Sequence, residues 1–326
     1  MTTPPAGKYA VIGASGLVGS HVLRLLADQP GIQVTAISRK SPTRVTGANI
    51  ETVFADAAHS AELVAPLQGV DYVLICAGIL ATAPVLAADP VGTVLANLCI
   101  ATGALEAAYG AGCKKCIWLS STTGYPPSEQ PLNEGQFFDG DPPENWYGIG
   151  SMTRYVEHQC RWYAEKIAKP MPMMVLRPSL IYGEFDHFDE QTAHFLPSFI
   201  RRVVNREDPI EIWGTGEQAR DLVYAGDVAR AMIAGVNSKR SFATYNVAAG
   251  KTHTVNECMS LLLTLDGYEN AEVVHLTDKP TSRAKVQFNI DQIKADLGFV
   301  PVTPLAEGLR RTIEWYRLTI LENRTH

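Results

Sequence analysis

The 326-residue sequence predicts an α/β fold, a doubly wound parallel sheet with a smaller C-terminal α/β domain. Three observations predict it. Short β-rich runs alternate with helical segments through the first half, the pattern of a parallel sheet covered on both faces. A glycine turn, Gly13-Ala14-Ser15-Gly16-Leu17-Val18-Gly19, follows the first apolar run and opens the first helical segment. Beyond Arg177-Pro178 the regular alternation gives way to Gly, Pro and charged residues.

The elements follow in order. Tyr9 to Ile12 reads as a strand and Gly16 to Asp28 as a helix. Ile32 to Ile37, Ile50 to Ala55 and Tyr72 to Cys76 read as the next strands, each short and apolar, as burial on both sides requires. Val91 to Gly110 is a long helix, Cys116 to Leu119 a strand, Tyr147 to Lys169 another long helix, and Met173 to Leu176 the strand after it. Later, Ala225 to Val236 reads as a helix that returns to the first domain, and Val302 to Leu321 as a closing amphipathic helix. The expected division is 1–178 with 225–250 returning to it, against 179–224 with 251–326. The connection Pro126 to Glu144 contains five prolines and many polar residues. A connection that long inside a compact domain is usually functional or mobile.

Hydrophobic residues make up 46% of the chain and charged residues 19%, an ordinary globular balance. The net charge of −6 argues against a nucleic-acid partner. No uninterrupted apolar run reaches the length of a membrane span, and Met1 to Gly7 lacks the charged-then-apolar plan of a leader. Six cysteines are too few for a disulfide scaffold, so a cytosolic protein with reduced thiols is expected. Cys113 and Cys116 have CxxC spacing, but no second Cys or His pair completes a metal site, and no metal is expected.

The glycine turn carries chemistry. Gly13 permits the tight bend, Gly16 lets the backbone approach a pyrophosphate, and Gly19 lets the helix pack close to the strand. The amides from Ser15 through Leu17 and Val18 then point at negative charge. This is a Rossmann-type dinucleotide site by context as well as spacing. Cofactor choice is read at Ile37-Ser38-Arg39-Lys40. No acid is present there to take a ribose 2′-hydroxyl, and Arg39 suits a 2′-phosphate, so NADP(H) is favoured with NAD(H) the other option.

Trp118-Leu119-Ser120-Ser121-Thr122-Thr123-Gly124-Tyr125, followed by Asn145-Trp146-Tyr147-Gly148-Ile149-Gly150-Ser151, resembles the extended short-chain dehydrogenase/reductase superfamily. The resemblance implies that Tyr147 exchanges a proton and that Ser121 binds the reacting oxygen, with Ser120 or Thr122 as substitutes under a one-residue shift. It implies that Asp56-Ala57 borders the adenine and Ala77-Gly78 the ribose, and that Asn97 is a structural or relay residue. The family's Lys, four residues after the Tyr, is Ser151 here. A phenol titrates near pH ~10 unless a cation lowers it. Arg154 lies two helical turns from Tyr147, about 10 Å along the axis, and is the candidate substitute; Lys166 is too far.

Leu176-Arg177-Pro178-Ser179-Leu180-Ile181-Tyr182-Gly183, the run from Ala193-His194 to Arg202, and Ile212-Trp213-Gly214-Thr215-Gly216 through Arg220-Asp221 to Asp227 extend the likeness over nearly the whole chain. In wording and order they resemble the GDP-fucose synthase-like branch of nucleotide-sugar epimerase/reductases. That branch implies cofactor contacts at Arg177 and Ser179, an epimerisation acid at His194, substrate contacts at Thr122 and Thr123, and diphosphate contacts at Arg202 and Arg220, whose guanidiniums suit phosphate. The branch's epimerising Cys is Thr123, a far poorer base. Trp213 reads as core or, second, as a base-stacking platform. The function implied is an NADP(H)-dependent epimerase or 4-keto reductase of a nucleotide-activated sugar, acting as a homodimer. The rival readings are a dinucleotide-binding sensor or scaffold that has lost catalysis, and a reductase of a non-sugar ketone. Arg202 and Arg220 speak against the last.

Overall fold

The computed structural model describes residues 3–279 and 285–321; Met1, Thr2 and the stretches 280–284 and 322–326 of the expected domains lie outside the described residues. The strands are β1 Gly7–Ile12, β2 Ile32–Ser38, β3 Ile50–Phe54, β4 Tyr72–Ile75, β5 Lys115–Leu119, β6 Met173–Pro178, β7 Leu180–Tyr182, β8 Ile210–Trp213, β9 Ala219–Tyr224, β10 Phe242–Val247, β11 Thr252–Thr254, β12 Val273–Leu276 and β13 Lys285–Val286. The helices are α1 Leu17–Leu26, α2 Ser60–Leu63, α3 Ala83–Ala88, α4 Pro90–Ala111, α5 Tyr147–Glu165, α6 Phe195–Val204, α7 Ala225–Asn237, α8 Val255–Asp266, α9 Asp291–Leu297 and α10 Leu305–Tyr316.

Seven strands form one sheet in the order β10-β6-β5-β4-β1-β2-β3, every neighbour pair parallel. Alternate side chains of β1 go to opposite faces. Tyr9 and Val11 join α1 and α7 residues such as Val22 and Met232; Ala10 and Ile12 join Ala104 and Leu105 of α4 and Val156 of α5. Both faces are covered, which is why the strands read as unbroken apolar runs. Ile293 and Phe299, from the late segment, also pack into the α1–α7 face. Helices α6, α8 and α10 enclose a separate core built from Leu196, Ile200, Leu262, Leu309 and Tyr316. That core sits against the small sheet in which β9 pairs with β7, β11 and β13.

Two expected helix ends move. The helix from Tyr147 stops at Glu165 rather than Lys169, because Lys169 precedes Pro170 and a residue before proline avoids the helical region. The closing helix begins after Pro304 and gives way to a wider turn over Arg317–Leu321. The long connection is pinned rather than loose. Its Glu134–Phe138 turn is closed by a capping box between Asn133 and Gln136, and Leu132 and Phe137 are buried with Tyr125 and Phe288 in a core of their own. Among the described residues, α4 is long and apolar enough to cross a membrane by length and composition, although Thr93, Asn97, Thr102 and Glu106 interrupt its apolar run. Its Ile100, Ala101, Ala104 and Leu105 lie in the sheet core.

Candidate active site

Parallel register brings the C-terminal ends of the strands to one rim. The Gly13 amide donates to Ile37 O at 2.9 Å, Cys76 N to Ile12 O at 2.8 Å, and Ser120 N to Leu176 O at 2.8 Å. The glycine turn, Arg39, Ala77-Gly78 and the Ser121 turn therefore gather where open α/β sheets bind ligands.

The cradle fits a dinucleotide. Gly13 has φ +87°, and a Cβ there would meet Ala77 N at 2.6 Å. A Cβ on Gly19 would sit 2.2 Å from Gly13 O, so α1 can pack this closely only on glycine. Gly16, at the N-cap of α1, is different: a Cβ there would have one neighbour within 4 Å, Gly13 O at 3.4 Å. Its bareness keeps space open above the amide N–H groups for a pyrophosphate rather than relieving a clash. Ser15 and Leu17 flank that opening, while the side chain of Val18 is buried in the core and leaves only its backbone to the site. Asp56 accepts the Ala58 N–H at 3.0 Å, which orders the turn carrying Ala57. Asn97 clamps the 77–79 strand exit, accepting from Ile79 N at 2.8 Å and donating to Ile79 O at 3.2 Å.

Three expected cofactor contacts are redirected. The Ser38 hydroxyl donates to Ser41 O at 2.5 Å. Ser179 is buried with its hydroxyl on Asp221 Oδ1 at 3.3 Å. Arg177 is 1% exposed, and its guanidinium is consumed internally: by Glu157 at 2.6 Å, the Tyr125 oxygen at 3.0 Å and Glu134 O at 3.0 Å. It also lies 3.7 Å from the Phe137 ring centroid. A buried charge demands such a partner, so Arg177 is a hub joining β6, α5 and the long connection, and not a cofactor ligand.

The residues expected to be catalytic stand on α5 and the turn after β5. Ser120 is buried and donates to Glu157 Oε1 at 2.7 Å, so its hydroxyl is taken up inside the protein, while Ser121 beside it is half-buried. Thr122 donates to Pro178 O at 3.1 Å, and Thr123 donates to Ser121 Oγ at 3.0 Å. Tyr147 is the first residue of α5 and is 52% exposed. Ser151 follows one turn later, half-buried. Arg154 sits behind the serine turn, its Nε donating to Gly124 O at 2.8 Å and its guanidinium 5.8 Å from the Phe137 and Phe138 ring centroids. Burial lowers its pKa, with Tyr147 among the groups that oppose the shift. Pro142 of the long connection fills the space beside Gly150, where a Cβ would be 2.7 Å from both Pro142 Cβ and Thr123 O.

From the second core, His194 is the N-cap of α6 without a capping side-chain bond, and burial followed by the charge of His187 lowers its pKa, which keeps the imidazole neutral. His187, to which the sequence assigned no role, stands nearby with its Nε2 2.7 Å from the Thr192 hydroxyl. Arg202 donates to Glu211 O at 3.2 Å and lies 3.7 Å from Glu207, and Arg220 Nη1 donates to Ala219 O at 2.6 Å. Trp213 is 54% exposed, which corrects its expected place in the core. Glu157 was also missed. Its signal was a lone charge, Arg177, inside an apolar strand, which requires a buried counter-charge somewhere in the chain.

The sequence of residues 9–248 matches the model of the NAD dependent epimerase/dehydratase family. The chain belongs to that family, whose members are enzymes of the extended short-chain dehydrogenase/reductase type. Among curated relatives, GDP-L-fucose synthase 1 of Arabidopsis thaliana is 26% identical over 95% of this chain and 93% of its own. Among solved structures, a UDP-glucose 4-epimerase with UDP-glucose from Thermotoga maritima superposes with a TM-score of 0.83 at 25% identity, covering 96% of this chain and 99% of its own. MoeE5 in complex with UDP-glucose and NAD gives a TM-score of 0.82 at 25% identity, covering 96% and 100%.

Proposed function

We propose that this protein is a nicotinamide-dependent enzyme acting on a nucleotide-activated sugar, working at one carbinol carbon as a 4-keto reductase or 4-epimerase with NADP(H). The observation that carries the reading is the meeting of the open Gly16 cradle and the Ser120–Thr123 hydroxyl turn at the C-terminal rim of one parallel sheet. The relatives are nucleotide-sugar enzymes over nearly their full length. The Gly13–Gly19 cradle would hold a nicotinamide cofactor, which would supply or take up the hydride. The chain's own residues do the rest: Ser121 donates to the sugar oxygen, Tyr147 transfers the proton, and the Gly13–Gly19 amides hold the pyrophosphate. Arg39 and Lys40, both exposed after β2, favour a 2′-phosphate. The 179–224 and 251–326 segments supply the substrate side. There Trp213 offers an exposed ring to a base, Arg202 and Arg220 face a diphosphate, and His194 stands as a neutral proton carrier.

The same reading has the protein as a homodimer through α4 and α5, where Val91, Leu95, Tyr155 and Trp162 are 67%, 53%, 59% and 49% exposed. A cytoplasmic location fits its six free cysteines. The test is turnover of nucleoside diphosphate 4-keto-6-deoxyhexoses with NADPH and with NADH. Turnover with preference for NADPH, lost in Tyr147→Phe with cofactor binding intact, supports the reading. Tight NADPH binding without turnover on any nucleotide sugar favours a sensor, and equal affinity for the two cofactors removes the role given to Arg39.

A further inference from the structure

The four hydroxyls of residues 120–123 are not equivalent. Ser120 donates to Glu157, Thr122 to Pro178 O, and Thr123 to Ser121 Oγ at 3.0 Å. The Ser121 oxygen also accepts the Thr123 amide N–H at 3.2 Å. A serine oxygen has two lone pairs and one proton. Both acceptor positions of Ser121 are therefore taken by Thr123, and what remains is its O–H as a donor.

We propose that Thr123 is a positioning residue that fixes Ser121 as a donor, confining the chemistry to the carbonyl–carbinol pair without proton abstraction from the flanking carbons. This rests on the reading of the preceding subsection and goes beyond it in naming the step. A carbonyl oxygen accepts and cannot donate, so a fixed donor matches the ketone. It also stabilises the charge that grows on that oxygen as hydride adds to carbon. The step balances: a C–H bond forms with hydride from the reduced nicotinamide, the C=O π pair moves to oxygen, and the oxygen takes the Tyr147 proton, which solvent then replaces. No carbon gives up a proton. Thr123, whose hydroxyl is held on Ser121, supplies no carbon base at the place where the sequence likeness has a cysteine.

The test uses the full chain with NADPH and a nucleoside diphosphate 4-keto-6-deoxyhexose. Thr123→Val keeps the β-branched shape and removes the hydroxyl; Thr123→Ser returns it. Thr123→Val is expected to lower kcat on the order of ten-fold, less than outright deletion of an oxyanion donor, with KM nearly unchanged, and Thr123→Ser to recover most of the loss. In D2O the wild-type product is expected to carry no deuterium at the carbons flanking the new carbinol beyond the protein-free rate. Deuterium there, or an unchanged kcat in Thr123→Val, overturns the proposal. Absence of wild-type turnover on any nucleotide sugar sinks the preceding reading instead. The proposal is then decided by binding: wild type is expected to hold the keto sugar more tightly than the matching alcohol, and Thr123→Val to narrow that gap. Equal wild-type affinities overturn it.

Discussion

Asp186 gives the sharpest stability prediction. It is 9% exposed, its Oδ1 accepts the His187 N–H at 2.7 Å, and its Oδ2 has no hydrogen-bond partner. Burial pushes its carboxyl up to about 7. The unfolded carboxyl titrates near ~4, so between those values the folded chain holds a proton that the unfolded chain has released. Stability contributed by this group therefore rises as pH falls through the window, and the folded state bears the full cost of ionisation above it. Three pH units at about 1.4 kcal/mol each give a cost of about 4 kcal/mol at pH 8. Asp186→Asn keeps the acceptor for His187 N and removes the titration. Urea unfolding of both proteins from pH 4 to pH 8 is the assay. Buried His21, held down to about 4, acts in the opposite direction but is common to both and cancels in the difference. The difference is expected to grow in favour of the variant by about 1.4 kcal/mol per pH unit across the window and to level off above pH 7. Parallel curves refute the reasoning, whatever constant offset the amide introduces.

Three further outcomes are expected. Gly19→Ala drives a methyl into the backbone of Gly13, so unfolding stability should fall by roughly 1–3 kcal/mol and NADPH affinity should fall with it, measured by urea titration and fluorescence. Glu157→Gln leaves Arg177 buried without its counter-charge, and a loss of about 3–5 kcal/mol in unfolding free energy is expected; a loss under ~1 kcal/mol contradicts the hub assigned to Arg177. Ser151→Lys adds an ammonium one turn from Tyr147, so the basic limb of the pH–rate profile for carbinol oxidation should move to lower pH; an unmoved limb means that another group already sets it.

The fold was legible because its signals are local. The Gly13–Gly19 turn and the short apolar runs state their geometry within a few residues, and the strands fell within a residue or two of their expected places. The misreadings differ in cause. Arg177 stands in a motif at a ligand-lined rim, but its partner Glu157 lies twenty residues back on another element, and only the packed structure shows the pairing. Trp213 was recoverable: Ile210 and Ile212 are buried while Glu211 and Trp213 are out, the two-residue alternation of a strand with one wet face. The connection before Tyr147 was not, since Leu132 and Phe137 have no regular spacing and their burial comes from Tyr125 and Phe288.

The pairing of β10 with β6 has a consequence for how the molecule is made. Phe242 lies beside Met173, yet everything from β7 to α7 is synthesised between them. Until residues 242–247 leave the ribosome, β6 is a bare edge, with unpaired amides along a strand whose native side chains are fully buried. Closing so long an excursion costs little more entropy than closing half of it, about 0.6 kcal/mol per doubling. Thermodynamics thus tolerates the detour, while nascent chains bear its hazard as a sticky intermediate. A fragment ending near Pro178 inherits that hazard permanently. The seven-stranded sheet cannot be excised as an N-terminal unit, because its outermost strand, β10, is encoded after everything from β7 to α7.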